Sequence, residues 1–331
     1  VADDPVCDDD HLVHHAARVL ATAPNIWGLG VATIAEGLAL RDAGIGARML
    51  CCTPLMRAEL QAAFAANITP SLAHVDDITH WNSLGNHPWH LSIDTGMNRA
   101  GVSWRLAREL RDIVAQHPPE GAFTHFAAGS IVDASRDEQE IRFRQALVDC
   151  DVKHANPNVL IHAESSLGLA ARGPSPYDLA RPGIALYGWP SHSDLHVESV
   201  FELKARVVDL RVLNAGDAVS YGGSWVAPHQ TRIATLAIGY GDGYRRELSG
   251  KAQVVISGTR CRVVGTVTMD MIMVDVSDVP CEIGDTASLM GGTHSNALSL
   301  DEVAAFGGLS PYEMLVGLKL RLPRTFLDEN S

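Results

Sequence analysis

Four groups of residues have the types and spacing to do chemistry. The first is Gly239-Tyr240-Gly241-Asp242-Gly243, at the end of the apolar run Ile233 to Ile238. A tyrosine delivered at a strand mouth, held by glycines that permit positive φ and close backbone approach, could be building a site. The plain alternative is a tight turn with an ordinary core tyrosine. The second is Arg181-Pro-Gly183-Ile184, where two backbone N–H groups follow a strand and an arginine adds a rigid donor fork. That set suits a phosphate or another small anion; the alternative is a strand start with a surface arginine. The third is Asp94-Thr-Gly-Met-Asn-Arg99-Ala-Gly101, whose Arg99 could hold a carboxylate bidentately or simply sit on a surface loop. The fourth is Thr268-Met269-Asp270. Asp270 lies among apolar residues and is expected to be buried and to cap backbone, while Met269 and its N–H could face a ligand.

The elements that position these groups alternate regularly over the first 190 residues or so. Helices are expected over residues 11–23, 33–41, 54–65, 76–84, 106–117, 137–149 and 163–171. Strands are expected over 26–31, 47–52, 69–73, 89–94, 122–127, 159–162 and 179–188. Thr33 is a candidate N-cap with Glu36 at the capping-box position. Strand–loop–helix alternation of this kind predicts parallel βαβ units, a (β/α)₈ barrel or a doubly wound sheet. The polar, glycine-rich segments follow the strands, where a barrel carries its active-site loops. Past the polar linker Trp189-Pro-Ser-His-Ser-Asp194 the segments become short, apolar and turn-bounded. The expected organisation is an α/β-barrel domain over 1–192 and an all-β domain over 193–331, with helices over 300–306 and 312–319.

Composition narrows the function. The 331 residues carry 39 acidic against 26 basic side chains, a net charge of −13. That balance excludes a nucleic-acid face. No apolar run reaches the ~20 residues of a membrane span, and Val1–Pro5 carries neither a basic nor an apolar leader pattern. The six cysteines form no Cys-x-x-Cys pair, so reduced thiols and a cytoplasmic setting are expected. The cluster from Asp8 to His15 matches no zinc spacing and reads as a solvated face, so no metal is expected. There are only four lysines, Lys153, Lys204, Lys251 and Lys319, and none in the first 150 residues.

Taken in order, Gly30–Arg41, Asp94–Arg99, Thr124-His125-Phe126, Arg181–Gly188, Gly239–Tyr244, Thr268–Asp270 and Pro311-Tyr312 leading to Leu320–Arg324 resemble the alanine racemase family. The resemblance implies a pyridoxal 5'-phosphate (PLP) enzyme of fold type III, a barrel followed by a β domain, that interconverts L- and D-alanine for peptidoglycan precursors. It implies that Arg181 hydrogen-bonds the pyridine nitrogen and, keeping its own proton, leaves that nitrogen unprotonated. It also implies that Gly183, Ile184, Ser166 and Tyr312 hold the phosphate and that His125 stacks near the ring. Arg99 would contact the phenolic oxygen and the substrate carboxylate, Met269 that carboxylate, and Tyr240 would be one of two acid/base groups. Tyr240 and Met269 come from the partner subunit in the family, so a head-to-tail homodimer is implied.

The family's second base is the lysine that holds PLP. Its motif falls on Val1–Cys7, which has neither that lysine nor the phosphate-binding tyrosine. On this comparison the chain starts late, or diverges at the motif and has lost catalysis, or has the gap filled by a partner. The first barrel strand is then expected to be missing. Ser92 stands where many members carry a carbamylated lysine, and the loop 127–130 is diverged. Two other readings share the resemblance: a catalytically inactive PLP-binding or regulatory homologue, and a racemase of another amino acid such as serine or a basic one.

Overall fold

The computed structural model describes residues 9–127, 134–172, 175–190 and 195–327. The Val1–Cys7 stretch, Asp8, most of the 127–130 loop and Ser191–Asp194 of the linker lie outside the described residues. The chain divides into two compact units, Cys7–Gly183 and Ile184–Ser331.

The first unit runs α1 (Asp9–Ala21), β1 (Leu29–Val31), α2 (Ile34–Asp42), β2 (Met49–Cys51), α3 (Arg57–Ala65), β3 (Thr69–Leu72), α4 (Val75–Leu84), β4 (His90–Asp94) and β5 (Val102–Ser103). It continues through a 3₁₀ turn at Ala107–Leu110, α5 (Arg111–Gln116), β6 (Gly121–Phe123), α6 (Ala134–Asp149), α7 (Val152–Ala155), β7 (Leu160–Ser165), α8 (Ser166–Arg172) and β8 (Leu179–Arg181). The strands form one parallel sheet in the order β1-β2-β3-β4-β6-β7-β8, with β5 paired to β4, a nearly closed barrel. Every residue of β2, β3 and β6 is buried, as expected of parallel strands covered on both faces. Met49, Leu91 and Ala122 of the strands and Leu60 and Trp81 of the helices are fully buried in one continuous core.

Local signals set the element ends. Thr33 caps α2, its Oγ1 accepting the Glu36 N–H at 3.2 Å. Glu36 Oε2 accepts the Ala32 N–H at 2.7 Å, so the cap is closed from both sides. Two expectations are corrected. The segment 106–117 is a 3₁₀ turn followed by a short helix, and 179–188 is three strand residues followed by a 3₁₀ turn at Ile184–Tyr187. Pro182 ends the second: it has no N–H to continue a ladder.

The second unit contains β9 (Glu202–Leu213), β10 (Ala218–Val219), β11 (Trp225–Val226), β12 (Thr231–Leu236), β13 (Gln253–Ile256), β14 (Thr259–Val264), β15 (Ile272–Asp275) and β16 (Thr286–Gly291), then α9 (Leu300–Gly307) and α10 (Pro311–Val316). Six strands close an antiparallel barrel in the order β12-β15-β14-β13-β16-β9. Strand β9 alternates buried and exposed residues over Leu203–Val208, then bends across a bulge opposite Thr235 and Leu236. That bend lets one long strand pair with both β12 and β16. Among the described residues no helix is long and apolar enough to cross a membrane. No group of three or more His, Cys, Asp or Glu among them could hold a metal.

Candidate active site

Arg181 is the last residue of β8, at the C-terminal end of the parallel strands. Its guanidinium is tied down on three sides. Nη2 donates to the carbonyls of Thr124 at 2.8 Å and Ala163 at 3.2 Å, and Nη1 lies 2.6 Å from His162 Nδ1. An arginine only donates, so His162 Nδ1 must be the acceptor. The ring of Phe123 stacks on His162 at 4.9 Å and lies under the guanidinium at 5.2 Å. A cation held this rigidly can donate to a ring nitrogen without surrendering its proton.

Beside it, Gly183 N–H donates to Ser166 Oγ at 2.8 Å. Ser166 is buried and opens α8, and a methyl group at Gly183 would meet nothing within 4 Å. The hydroxyl and the backbone N–H, bonded to each other here, stand beside open space, where a small anion could take both donors as a cradle. Ile184 follows as the first residue of the 3₁₀ turn and is itself buried. His125 sits just past β6, half-buried. Burial lowers its pKa to about 4, with further lowering from the nearby charges of Arg181 and Arg99. The imidazole is thus neutral at physiological pH, and Arg99 and Arg181 are both close enough to act on it.

The loop carrying Arg99 winds around one carboxylate. Asp94 Oδ1 accepts the N–H groups of Gly96 at 2.9 Å and Asn98 at 3.1 Å. Gly101, at φ +105°, brings its Cα against the Asp94 amide, where a side chain would clash at 2.9 Å. Thr95 Oγ1 lies 3.0 Å from Thr124 Oγ1, tying this loop to the residue before His125. Arg99 is left exposed, with no hydrogen bond among the described residues. Ser92 is buried beneath the loop, beside a cavity of about 40 Å³ also lined by Ser71, His74 and Asp77.

In the second unit the glycine turn is held by its neighbour loop. Tyr240 N–H donates to Thr268 O at 2.9 Å and Gly241 N–H to Met269 O at 2.8 Å. A methyl group at Gly239 would lie 2.3 Å from Thr268 O, and one at Gly241 2.5 Å from Arg321. Only Gly243 of the three needs positive φ, at +99°; the other two are small so that backbones can touch. Tyr240 and Met269 are brought side by side and left 41% and 53% exposed. The expectation that Asp270 is buried is corrected: it is exposed and pairs with Arg321 Nη2 at 2.7 Å. The buried capping carboxylate is Asp242, whose Oδ2 accepts the Gly239 N–H at 2.8 Å. Tyr312 stands in the first turn of α10, edge-on to Trp189 at 5.7 Å.

Of the expected site residues, Arg99, His125, Ser166, Arg181 and Gly183 fall in the first unit. Ile184, Tyr240, Met269 and Tyr312 fall in the second. Sequence reasoning missed His162 and Arg321. His162 alternates with core residues in an apolar strand, and Arg321 lies 79 residues from Asp242, so neither carries a local signal.

A parallel α/β barrel whose mouth presents a half-buried donor-only cation, an anion cradle and a neutral imidazole, in a chain that also builds an antiparallel barrel, defines an enzyme class that holds a flat anionic cofactor. The family model for the alanine racemase N-terminal domain matches residues 9–190, and that for the C-terminal domain matches residues 200–326. An alanine racemase of Deinococcus radiodurans is 35% identical over 95% of this chain and 88% of its own length. One from Nostoc is 33% identical over 94% of this chain and 85% of its own. Among solved structures, an alanine racemase of Clostridium difficile superposes with a TM-score of 0.84 at 26% identity, covering 96% of this chain and 85% of that one. The Bartonella henselae alanine racemase, with covalently bound PLP, gives a TM-score of 0.80 at 25% identity, over 97% and 98%. The chain belongs to the alanine racemase family.

Proposed function

We propose that this protein is a PLP-dependent racemase that interconverts L- and D-alanine. The observation that carries the reading is Arg181, fixed by two carbonyls and His162 as a donor beside the Ser166–Gly183 cradle. The residues present suit the cofactor's ring and phosphate. Arg181 would donate to the pyridine nitrogen, and Ser166, Gly183, Ile184 and Tyr312 would hold the phosphate. Neutral His125 would lie against the ring. When bound, PLP supplies an electron sink that makes the Cα proton of an amino acid removable.

The chain's own residues do the rest. Arg99 would orient the substrate carboxylate, with Met269 closing on the same group. Tyr240 would give or take a proton at one face of Cα. A homodimer, in which Tyr240 and Met269 serve the partner's barrel, a cytoplasmic location and a division into domains at 192/193 complete the proposal. Inversion needs a base on each face, and the other face calls for the lysine that also holds PLP. Among the described residues no lysine stands at the C-terminal end of a barrel strand: Lys153 is exposed on α7, ahead of β7, and the other three lie in the second unit.

A second reading is a family member that binds PLP without exchanging the Cα proton. Incubation with PLP and D-alanine in heavy water separates the two. Deuterium incorporation at Cα with appearance of L-alanine supports the racemase, and PLP binding without incorporation supports the second reading. Parallel runs with serine and lysine rank the substrates.

A further inference from the structure

A chain of polar groups, buried at its centre, runs through the first unit from one end of its strands to the other. At the C-terminal end Arg181 Nη1 meets His162 Nδ1 at 2.6 Å. His162 Nε2 meets His90 Nδ1 at 2.8 Å. His90 Nε2 then faces Glu120 Oε2 at 3.6 Å, an electrostatic contact longer than a hydrogen bond, and neither atom has a hydrogen-bond partner among the described residues. Glu120 Oε1 ends the chain by accepting from Arg48 at 2.6 Å. Glu120 directly precedes β6 and Arg48 directly precedes β2, so both stand at the N-terminal end of the strands, opposite Arg181. His90 and His162 are fully buried.

Donor inventory fixes the direction of the two bonds at His162. Arg181 has no acceptor, so His162 Nδ1 must be bare and its proton must sit on Nε2. That proton points at His90 Nδ1, which must also be bare, so the His90 proton sits on Nε2 and points at Glu120. One carboxylate is the terminal acceptor of the whole chain. Hydrogen bonds in series polarise one another, most of all in a low-dielectric interior. The Glu120 charge therefore makes His162 Nδ1 a stronger acceptor toward Arg181.

We propose that His90 and Glu120 are positioning residues, which hold His162 in its Nε2–H form and so set the orientation and donor strength of Arg181 from the far end of the strands. The packing is built for this. A methyl group at Gly121 would lie 2.5 Å from His90 Cε1, so the glycine leaves room for the imidazole. Trp27 packs against His90 with ring centroids 5.2 Å apart. Burial, with the charge of Arg181, lowers the pKa of both imidazoles, although Glu120 works in the opposite direction on His90.

The assignment of a role toward the cofactor rests on the racemase reading; the proton positions do not. Nitrogen-15 NMR of the whole chain with labelled histidine and arginine tests it without cofactor. For His90 and His162 at neutral pH the expected result is a pyridine-like Nδ1 and a pyrrole-like Nε2. A protonated Nδ1 on either ring overturns the proposal. In Glu120→Gln and Glu120→Leu the His162 Nδ1 and Arg181 guanidinium resonances should shift, more for leucine than for glutamine. Resonances that stay put in both folded variants overturn it. A PLP titration then separates the histidine assignment from the functional reading: failure of PLP to bind even the unaltered chain defeats the function while leaving the histidine result standing. Binding that is severalfold weaker in Glu120→Leu than in the unaltered chain supports both, and equal binding overturns the link to Arg181.

Discussion

Arg321 and Asp242, 79 residues apart in sequence, lock the glycine turn of the second unit from outside. Arg321 Nε donates to Asp242 Oδ1 at 2.7 Å, while Asp242 Oδ2 caps the Gly239 N–H at 2.8 Å. One carboxylate thus joins the turn that carries Tyr240 to the segment after α10. Arg321 Nη2 reaches Asp270 at 2.7 Å and ties in the Met269 loop as well.

Asp242→Ala leaves the Gly239 amide without its acceptor and Arg321 Nε without its carboxylate, while Arg321 Nη2 keeps Asp270. The expected loss is about 1–3 kcal/mol in urea unfolding. Arg321→Ala, with a side chain 48% exposed, should cost less than Asp242→Ala. Equal losses in the two variants would show that the ion pair, rather than the Gly239 cap, carries the stability.

Tyr240→Phe removes one hydroxyl from a half-exposed ring and leaves the Tyr240 N–H to Thr268 O bond in place. Stability should change by less than about 0.5 kcal/mol. Racemisation in the PLP-loaded protein should be abolished, read as loss of Cα deuterium appearing in the opposite enantiomer. Full activity in this variant would remove Tyr240 from the mechanism.

Acid should destabilise the first unit. In the folded protein His125 has its pKa lowered from 6.5 to about 4, chiefly by burial. The unfolded chain therefore takes up the proton first. Stability from this group is complete above about pH 6.5 and is lost as pH falls toward 4, by up to about 3 kcal/mol. His90 and His162 are shifted in the same direction and add to the loss. Unfolding free energies at pH 7.5 and 5 should show the drop, and His125→Asn should reduce it.

Arg136 and Glu164 form a buried ion pair at 2.6 Å between α6 and the end of β7, with the guanidinium 3.5 Å from the centroid of Phe126. Glu164→Leu alone removes the carboxylate that faces a buried guanidinium and should cost about 3–5 kcal/mol. The double variant Arg136→Met/Glu164→Leu should regain most of it, because two apolar side chains need no partner. Chemical unfolding of the single and double variants provides the check.

The sequence by itself determined the order of elements, the α/β-barrel followed by an all-β unit, and the family. Those depend on local period, caps and glycine-bounded motifs, which are written contiguously: Thr33 with Glu36, Asp94 to Gly101, Gly239 to Gly243. Tertiary structure alone decided which polar groups face one another. Asp270 has apolar neighbours in sequence yet is exposed, because its loop turns outward to Arg321. Asp242 reads as a turn residue yet is the buried cap. His90 and His162 look like isolated histidines in core strands, 72 residues apart, until the parallel register of β4, β6 and β7 sets both rings inside the barrel. Parallel strands are joined by crossover helices, so their interior neighbours are remote in sequence and leave no spacing to read.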